Sequence, residues 1–394
     1  MVKHFQHKGW YQVAKRELGR IAQRRLYLLM LLIFPLISTG FFVALFAPQV
    51  PEDLPIAVYD ADQTQTSRKL LQMIEATPSA SIAFEVSDLG EGKQHIQHME
   101  AYALVVIPRN FEYELTRGEL PVVKNYYNNA FLVAGGLLNK DITTAVRTFA
   151  AGANYKKLVK KGEQPLQAQV KVSPVKLDKH ILFNPYTSYF YYLATCFLPL
   201  MLQIFILSGV VYAIGIELKE GTAAQWLATA DGNMVQALSG KLLPYLAIFG
   251  LHMAFIYTLL FHFFHVPLLG SALVLGYNAI LFVLAYISVG ILLASIFPSV
   301  RMALSVSSIV AALAFTFSGL TFPYLAMPDS FVVAGQAFPF SHYLKVFIDQ
   351  ALRGAPVYTS MYALVGLNVF LVFPFLVTKR LKRMASNPKY WGKL

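Results

Sequence analysis

A chain that hydrolyses a nucleotide needs backbone amides and a lysine around the phosphates, usually as G-x-x-x-x-G-K-[ST]. The nearest approach in this sequence is Gly90-Glu91-Gly92-Lys93, which lacks both the spacing and a Ser/Thr after Lys93. Any work the chain performs must therefore be energised by another subunit. His95 and His98, three apart, could share a helix face as metal ligands, but no further ligand lies near them and they read as a solvated face. His252, His262 and His265 fall in or beside an apolar run, where an ionisable group is a candidate for function. The last two sit near its boundary and read as interfacial anchors. Tyr186, Tyr189, Phe190, Tyr191 and Tyr192 open another apolar run, as an aromatic belt or as contacts for an amphipathic substrate. The single cysteine, Cys196, reads as a small buried hydrophobe. The apolar half offers no Ser/His/Asp set and no paired carboxylates, so neither a catalytic nor a metal site is expected.

The loop from 217 to 241 is more informative. Glu217, Lys219 and Glu220 precede Gly221, which permits a turn, and Thr222, a residue suited to capping a helix. Gln225, Trp226 and Leu227 follow on a short amphipathic stretch, with Trp226 and Leu227 expected to offer an apolar knob to a partner or to lipid. Phe5 to Arg25 is also amphipathic, with Trp10, Val13, Leu18 and Ile21 among basic residues, as in a helix lying at an interface.

The elements that must position these residues are mostly apolar. Of 394 residues 56% are hydrophobic and 14% charged, and the mean hydropathy of +0.51 is too high for a soluble chain. Stretches long enough to span a bilayer, roughly 20 residues each, occur at 26–47, 189–216, 242–264, 271–297, 301–322 and 357–378. Six crossings return the chain to its starting side. The net charge of +12 is concentrated at the ends. Lys3, Lys8, Lys15, Arg16, Arg20, Arg24 and Arg25 face only Glu17 before the first run, and Lys379, Arg380, Lys382, Arg383, Lys389 and Lys393 follow the last with no acid. That asymmetry predicts two cytoplasmic termini and makes nucleic-acid binding unnecessary as an explanation.

Residues 48–188 differ in kind, with 15 Lys/Arg balanced by 15 Asp/Glu. Short runs at 55–59, 82–86, 103–107 and 122–127 read as strands, alternating with helical patterns at 67–75, 95–99 and 111–116. This order predicts a small α/β domain. One long helix is expected from Leu132 to about Lys161, and then an extended return between Pro165 and Pro174. The fold class is thus an α-helical polytopic membrane protein with six transmembrane helices and an inserted α/β domain. Its parts are an amphipathic N-terminal helix (1–25), a first crossing (26–47), an extracytoplasmic domain (48–188), five further crossings (189–378) and a basic tail (379–394).

Taken in order, these features resemble the permease subunits of ABC exporters of the type-two family, in the branch with a large extracytoplasmic domain between the first two helices. Three groups of residues carry the resemblance. Glu217-x-x-Glu220-Gly221-Thr222-x-x-x-x-Leu227 is similar to the family's E-x-E-x-G-T-x-x-x-L coupling-helix signature with its acidic spacing shifted, although Ala224 replaces a common acid and Ala230-Asp231 a common proline. Ser318-Gly319-Leu320, Phe322-Pro323, Met327-Pro328, Phe338 to Tyr343 and Leu352-Arg353-Gly354 are similar to its outer re-entrant region, placed here at 323–356. Leu54 to Asp60, Ser67-Arg68, Val106 to Pro108 and Phe111 are similar to the outside domain of that branch.

The resemblance implies a permease in the bacterial cytoplasmic (inner) membrane that exports a hydrophobic or amphipathic compound. It implies two ABC ATPase subunits that bind ATP and Mg, so that this chain holds no cofactor. A second permease copy or a sister permease would complete the dimer, and a periplasmic adaptor and outer-membrane channel are further implied partners. Glu217, Glu220, Gly221, Thr222, Gln225, Trp226 and Leu227 are the expected coupling residues. Tyr189, Tyr192, Phe315, Phe317 and Phe322 are candidates for the substrate path. The alternative is a membrane-anchored scaffold that transports nothing, which leaves five further crossings unexplained. An ion-coupled transporter would need more intramembrane acids than the crossings hold.

Overall fold

The computed structural model describes all residues except 1–8, 176–177, 179, 185–187, 298 and 393–394. Tyr186 and the basic residues Lys3, Lys8 and Lys393 therefore lie outside the described residues. The chain divides into two units, one of residues 1–49 with 181–394 and one of residues 50–180.

The first unit is helical. Among the described residues five helices are long and apolar enough to cross a membrane: Arg25–Phe46, Phe190–Lys219, Met234–Phe263, Ala272–Ile296 and Val357–Ser386, termed here the first, second, third, fourth and last spans. The expected crossing at 301–322 falls on the apolar helix Val300–Thr316, which has 17 residues and is shorter than these five. It stops because Gly319 adopts φ 81°, a left-handed conformation that ends helices, and because Tyr324 folds back to donate to the Phe317 carbonyl at 3.0 Å. Helices Asp329–Gly335 and Pro339–Phe347 follow before the last span.

The third span also begins earlier than the hydropathy suggests. Asn233 caps it by accepting from the amides of Val235 and Gln236, so Lys241 is a buried residue of the helix and not a loop charge. Glu217 is likewise buried, in the last turn of the second span. At the other end of these two spans Phe190 stacks on Phe264 at 3.9 Å, and the Tyr191 hydroxyl donates to the His265 carbonyl at 3.0 Å.

The N-terminal helix, Trp10–Gln23, buries Val13, Ala14, Glu17 and Ile21. It lies so close to the third span that a Cβ on Gly240 would come within 2.2 Å of the Trp10 carbonyl oxygen and 2.8 Å of the Val13 Cβ. Trp10, at the first position of the helix, and Leu18, at the side of the buried stripe, are both exposed.

The second unit is a four-stranded sheet of β1 (Leu54–Asp60), β2 (Ala80–Glu85), β3 (Ala103–Ile107) and β4 (Lys124–Tyr127) in the order β2-β1-β3-β4. β1 pairs parallel with β2 and β3, and β3 pairs antiparallel with β4. Alternation along the strands sends Ile56, Val58 and Val105 to one face, packed with Leu70, Ile74, Phe111, Leu138 and Ile142, and Ala57 and Leu104 to the other. Helix Leu132–Lys160 runs unbroken. The expected extended return is corrected: Pro165–Val172 is a helix, because proline is well suited to the first helical position. Gly90 to Lys93 lie within helix Leu89–Gln97, with the Leu104 side chain where a Gly92 Cβ would sit, so this glycine serves packing. His95 bonds Glu100 at 2.6 Å and stacks on Phe84.

Substituting Gly240→Ala places a methyl against backbone, and overpacking of this kind costs about 1–3 kcal/mol. The variant is expected to loosen the N-terminal helix, read as faster tryptic cleavage after Lys15 and Arg16 in detergent. Cleavage at the wild-type rate would contradict this packing.

Candidate functional site

Arg16, Arg20 and Arg24 recur every four residues on the N-terminal segment, so the first two share one helix face, and Glu17 continues the buried stripe of Val13 and Ile21. The second span delivers Glu217 and then Glu220 to this face. The third delivers Lys241 and, four residues on, Tyr245.

The side chains form one ionic network. Lys241, at 0% exposure, donates to Glu17 Oε2 at 2.6 Å and to Glu217 Oε1 at 2.9 Å. Tyr245 donates to the other oxygen of Glu17 at 2.8 Å. Arg16 holds Glu217 in a two-pronged pair at 2.6 and 3.0 Å, and Arg20 and the Thr222 hydroxyl also donate to Glu217. Further out, Arg20 reaches Glu220 at 2.9 Å and Thr222 Oγ1 at 3.2 Å, and Arg24 grips both Glu220 oxygens at 2.6 and 2.9 Å. Planar guanidinium forks suit such two-oxygen contacts better than lysine does. The hydrogen bond from Arg24 holds the Glu220 carboxyl below its usual range, against the opposing effect of partial burial.

The loop helix Ala223–Thr229 sits on this network. Gly221 makes the turn with φ 69°. Thr222 precedes the helix but forms no side-chain cap; its hydroxyl is engaged with Glu217 and Arg20, a correction to its expected role. Trp226 is likewise no surface knob. It is 1% exposed, donates through Nε1 to the Ala237 carbonyl at 3.1 Å, and has the Lys241 ammonium 5.3 Å from its ring centroid. Leu227 is buried as well, because the helix turns its apolar face inward, leaving Ala224, Gln225 and Ala228 exposed.

The match to known families decides the class. A family model described as ABC-2 family transporter protein matches residues 25–378. The chain belongs to the ABC-2 transporter family. A search of curated proteins finds no match. As an ABC-2 permease the chain is the membrane component of an ABC transporter, a family that works with ABC ATPase partners.

The second set of candidate residues is not gathered in the same way. Tyr192 is half exposed and donates to the Leu320 carbonyl at 2.9 Å, while Phe315 packs on Phe197, which also touches Phe42 and Phe46. Phe317 stacks on Phe331 and Phe338 at 5.9 Å and so fastens the turn before the last span. Tyr189 is half-buried and Phe322 exposed. His252 bonds the Ile248 carbonyl at 2.8 Å, and among the described residues no group of three or more His, Cys, Asp or Glu could hold a metal. Sequence reasoning missed Glu17, Lys241 and Tyr245. A signal was present for Glu17, on the buried stripe of the amphipathic N-terminal helix, and for Lys241, a charge opening an apolar run, since a buried charge demands a partner; Tyr245 carried none.

Lys241→Met should lose about 3–5 kcal/mol, because Glu17 is left buried with no cation and only the Tyr245 hydroxyl as donor, read as thermal unfolding of the purified chain in detergent. Adding Glu17→Gln should restore part of the loss; a Lys241→Met protein as stable as wild type would contradict the pairing. The Glu220 pair is exposed enough to be worth only about 0.5–1 kcal/mol. A depressed carboxyl stabilises above its unfolded value of about 4.3 and loses that effect as pH falls through the folded value. The stability gap between wild type and Glu220→Gln should therefore be constant at neutral pH and close on acidification below that range.

Proposed function

We propose that the chain is the permease of an ATP-driven exporter that receives force from its ATPase partners through the loop helix and the ionic network beneath it. The observation that carries this is the division of the loop helix: Trp226 and Leu227 anchor it internally, while Ala224, Gln225 and Ala228 remain open to a partner. A push on the open face is passed by Glu217, Glu220 and Thr222 to the N-terminal helix and the second and third spans together. Gly221 lets the loop turn, and Gln225 is the most prominent polar contact on offer. ATP and Mg are bound by the two ATPase subunits, and a second copy or a sister permease completes the pathway.

The N-terminal helix meets the second span through Arg16 and Glu217, and the tail beyond the last span meets the same end through Gly392 and Leu218. Two termini at one end favour an even number of crossings, so Val300–Thr316 acts as the sixth. At 1.5 Å per residue it reaches about 25 Å, slightly short of the roughly 30 Å hydrocarbon core, and the turn at Ser318–Gly319 covers the remainder. With the basic ends in the cytoplasm of a bacterial inner membrane, residues 50–180 form the extracytoplasmic domain, available to a periplasmic adaptor and outer-membrane channel. The cargo is a hydrophobic or amphipathic compound, exposed on its way to Tyr189, Tyr192, Phe315, Phe317 and Phe322.

Co-expression with the neighbouring genes should recover an ATPase with the wild-type chain. Ala224→Arg and Gln225→Arg, on the open face, should release that ATPase while leaving the permease folded and equally abundant, whereas Trp226→Ala should lower the yield of folded permease itself. If the wild type recovers no ATPase under mild extraction, the exporter loses its energy source and the reading fails.

A further inference from the structure

Beyond the last span the chain turns back onto the coupling loop. Asn387 caps the turn Pro388–Tyr390 by accepting from the Lys389 amide at 2.9 Å, and the Trp391 amide donates to the Pro388 carbonyl at 2.9 Å. The Trp391 indole then lies over Gly221, 3.6 Å from where a Cβ would stand. Its Nε1–H donates to the Met384 carbonyl at 3.2 Å, which fixes the ring to the last span. The Gly392 amide donates to the Leu218 carbonyl at 3.1 Å.

Leu218 is in the final turn of the second span, where carbonyls lack helical partners. The tail supplies one from a distant part of the chain, and this bond is shorter than the 3.3 Å contact from Gly221 within the loop. The segment is therefore tied to two spans, by the Trp391 indole to Met384 of the last and by the Gly392 amide to Leu218 of the second. Arg380 extends the connection, donating to the Ser295 and Ile296 carbonyls at the end of the fourth span at 2.6 and 3.2 Å. Apolar packing alone lets helices slide, whereas directional bonds to fixed carbonyls hold their register.

We propose that Asn387–Gly392 is a clasp that makes the last span follow the coupling loop, with Trp391 as its positioning residue. The proposal rests on the permease reading for its purpose but not for its mechanics. The ionic network carries a displacement of the loop into the second and third spans, and the clasp carries the same displacement into the last and fourth.

Spin labels at Ala224 and Lys382, both exposed, in a Cys196→Ser background report the clasp by pulsed electron resonance. The full chain is used, in nanodiscs of phosphatidylethanolamine and phosphatidylglycerol. The wild type should give one narrow distance peak. Trp391→Ala, and a chain ending at Asn387, should lose it to a broad distribution; Trp391→Phe, which keeps a ring over Gly221 but has no Nε1–H to donate to Met384, should broaden it as well, and Lys389→Ala should leave it unchanged. A peak as narrow as the wild type's in either Trp391→Ala or Trp391→Phe, or a Lys389→Ala peak as broad as theirs, overturns the clasp. Because no ATPase is present, failure to recover one elsewhere would sink the permease reading without altering this result.

Discussion

The ammonium of Lys241 is buried among apolar helices, and everything at this end of the bundle is arranged to keep it there. A lone charge in such a place would cost several kcal/mol or surrender its proton. Glu17 and Glu217 compensate it from two other elements, and each acid in turn needs more than one donor, which Tyr245, Arg16, Arg20 and Thr222 provide. Four cations, Arg16, Arg20, Arg24 and Lys241, meet three acids, Glu17, Glu217 and Glu220. The N-terminal helix and the second and third spans are therefore mutually obligatory, since removing any one leaves buried charge unmatched.

On the proposed function, a displacement made outside the membrane is passed to helices within it. Apolar contacts tolerate small slips, but a buried ion network is satisfied in few geometries and moves as a block or breaks. The loop helix is built into the block through Trp226, whose indole bonds the third span beside the Lys241 ammonium. The tail adds a contact at Gly221 through Trp391, whose indole bonds the last span. What remains outward on the loop helix is small or polar, as suits a surface that another protein covers.

Much of the architecture was legible because its signals are local. Apolar runs marked the spans, and period-two runs marked β1 to β4 within a few residues. Hydropathy misplaced the edges that side-chain chemistry sets: it excluded Lys241 from the third span as a charge, although Glu17 and Glu217 neutralise it there, and it ran the 301–322 stretch past Thr316, where the helix ends. The short helix after the second span was foreseeable from Glu217, Gly221 and Thr222, but its orientation was not. Trp226 resembled an exposed anchor because nothing in the local sequence shows that Ala237 and Lys241 wait eleven and fifteen residues ahead. Counting Arg16, Arg20 and Arg24 only toward topology hid their pairing with acids some 200 residues away, which requires the tertiary fold.

Hydrogen–deuterium exchange of the wild-type chain and of Glu217→Gln in lipid nanodiscs tests the central claim, that the ionic network holds the N-terminal helix as part of the bundle. The wild-type amides from Ala14 to Ile21 should exchange as slowly as those from Ala237 to Leu242, and Glu217→Gln should release the first group. Rapid exchange of the N-terminal helix in the wild type, or protection that Glu217→Gln leaves untouched, would contradict it.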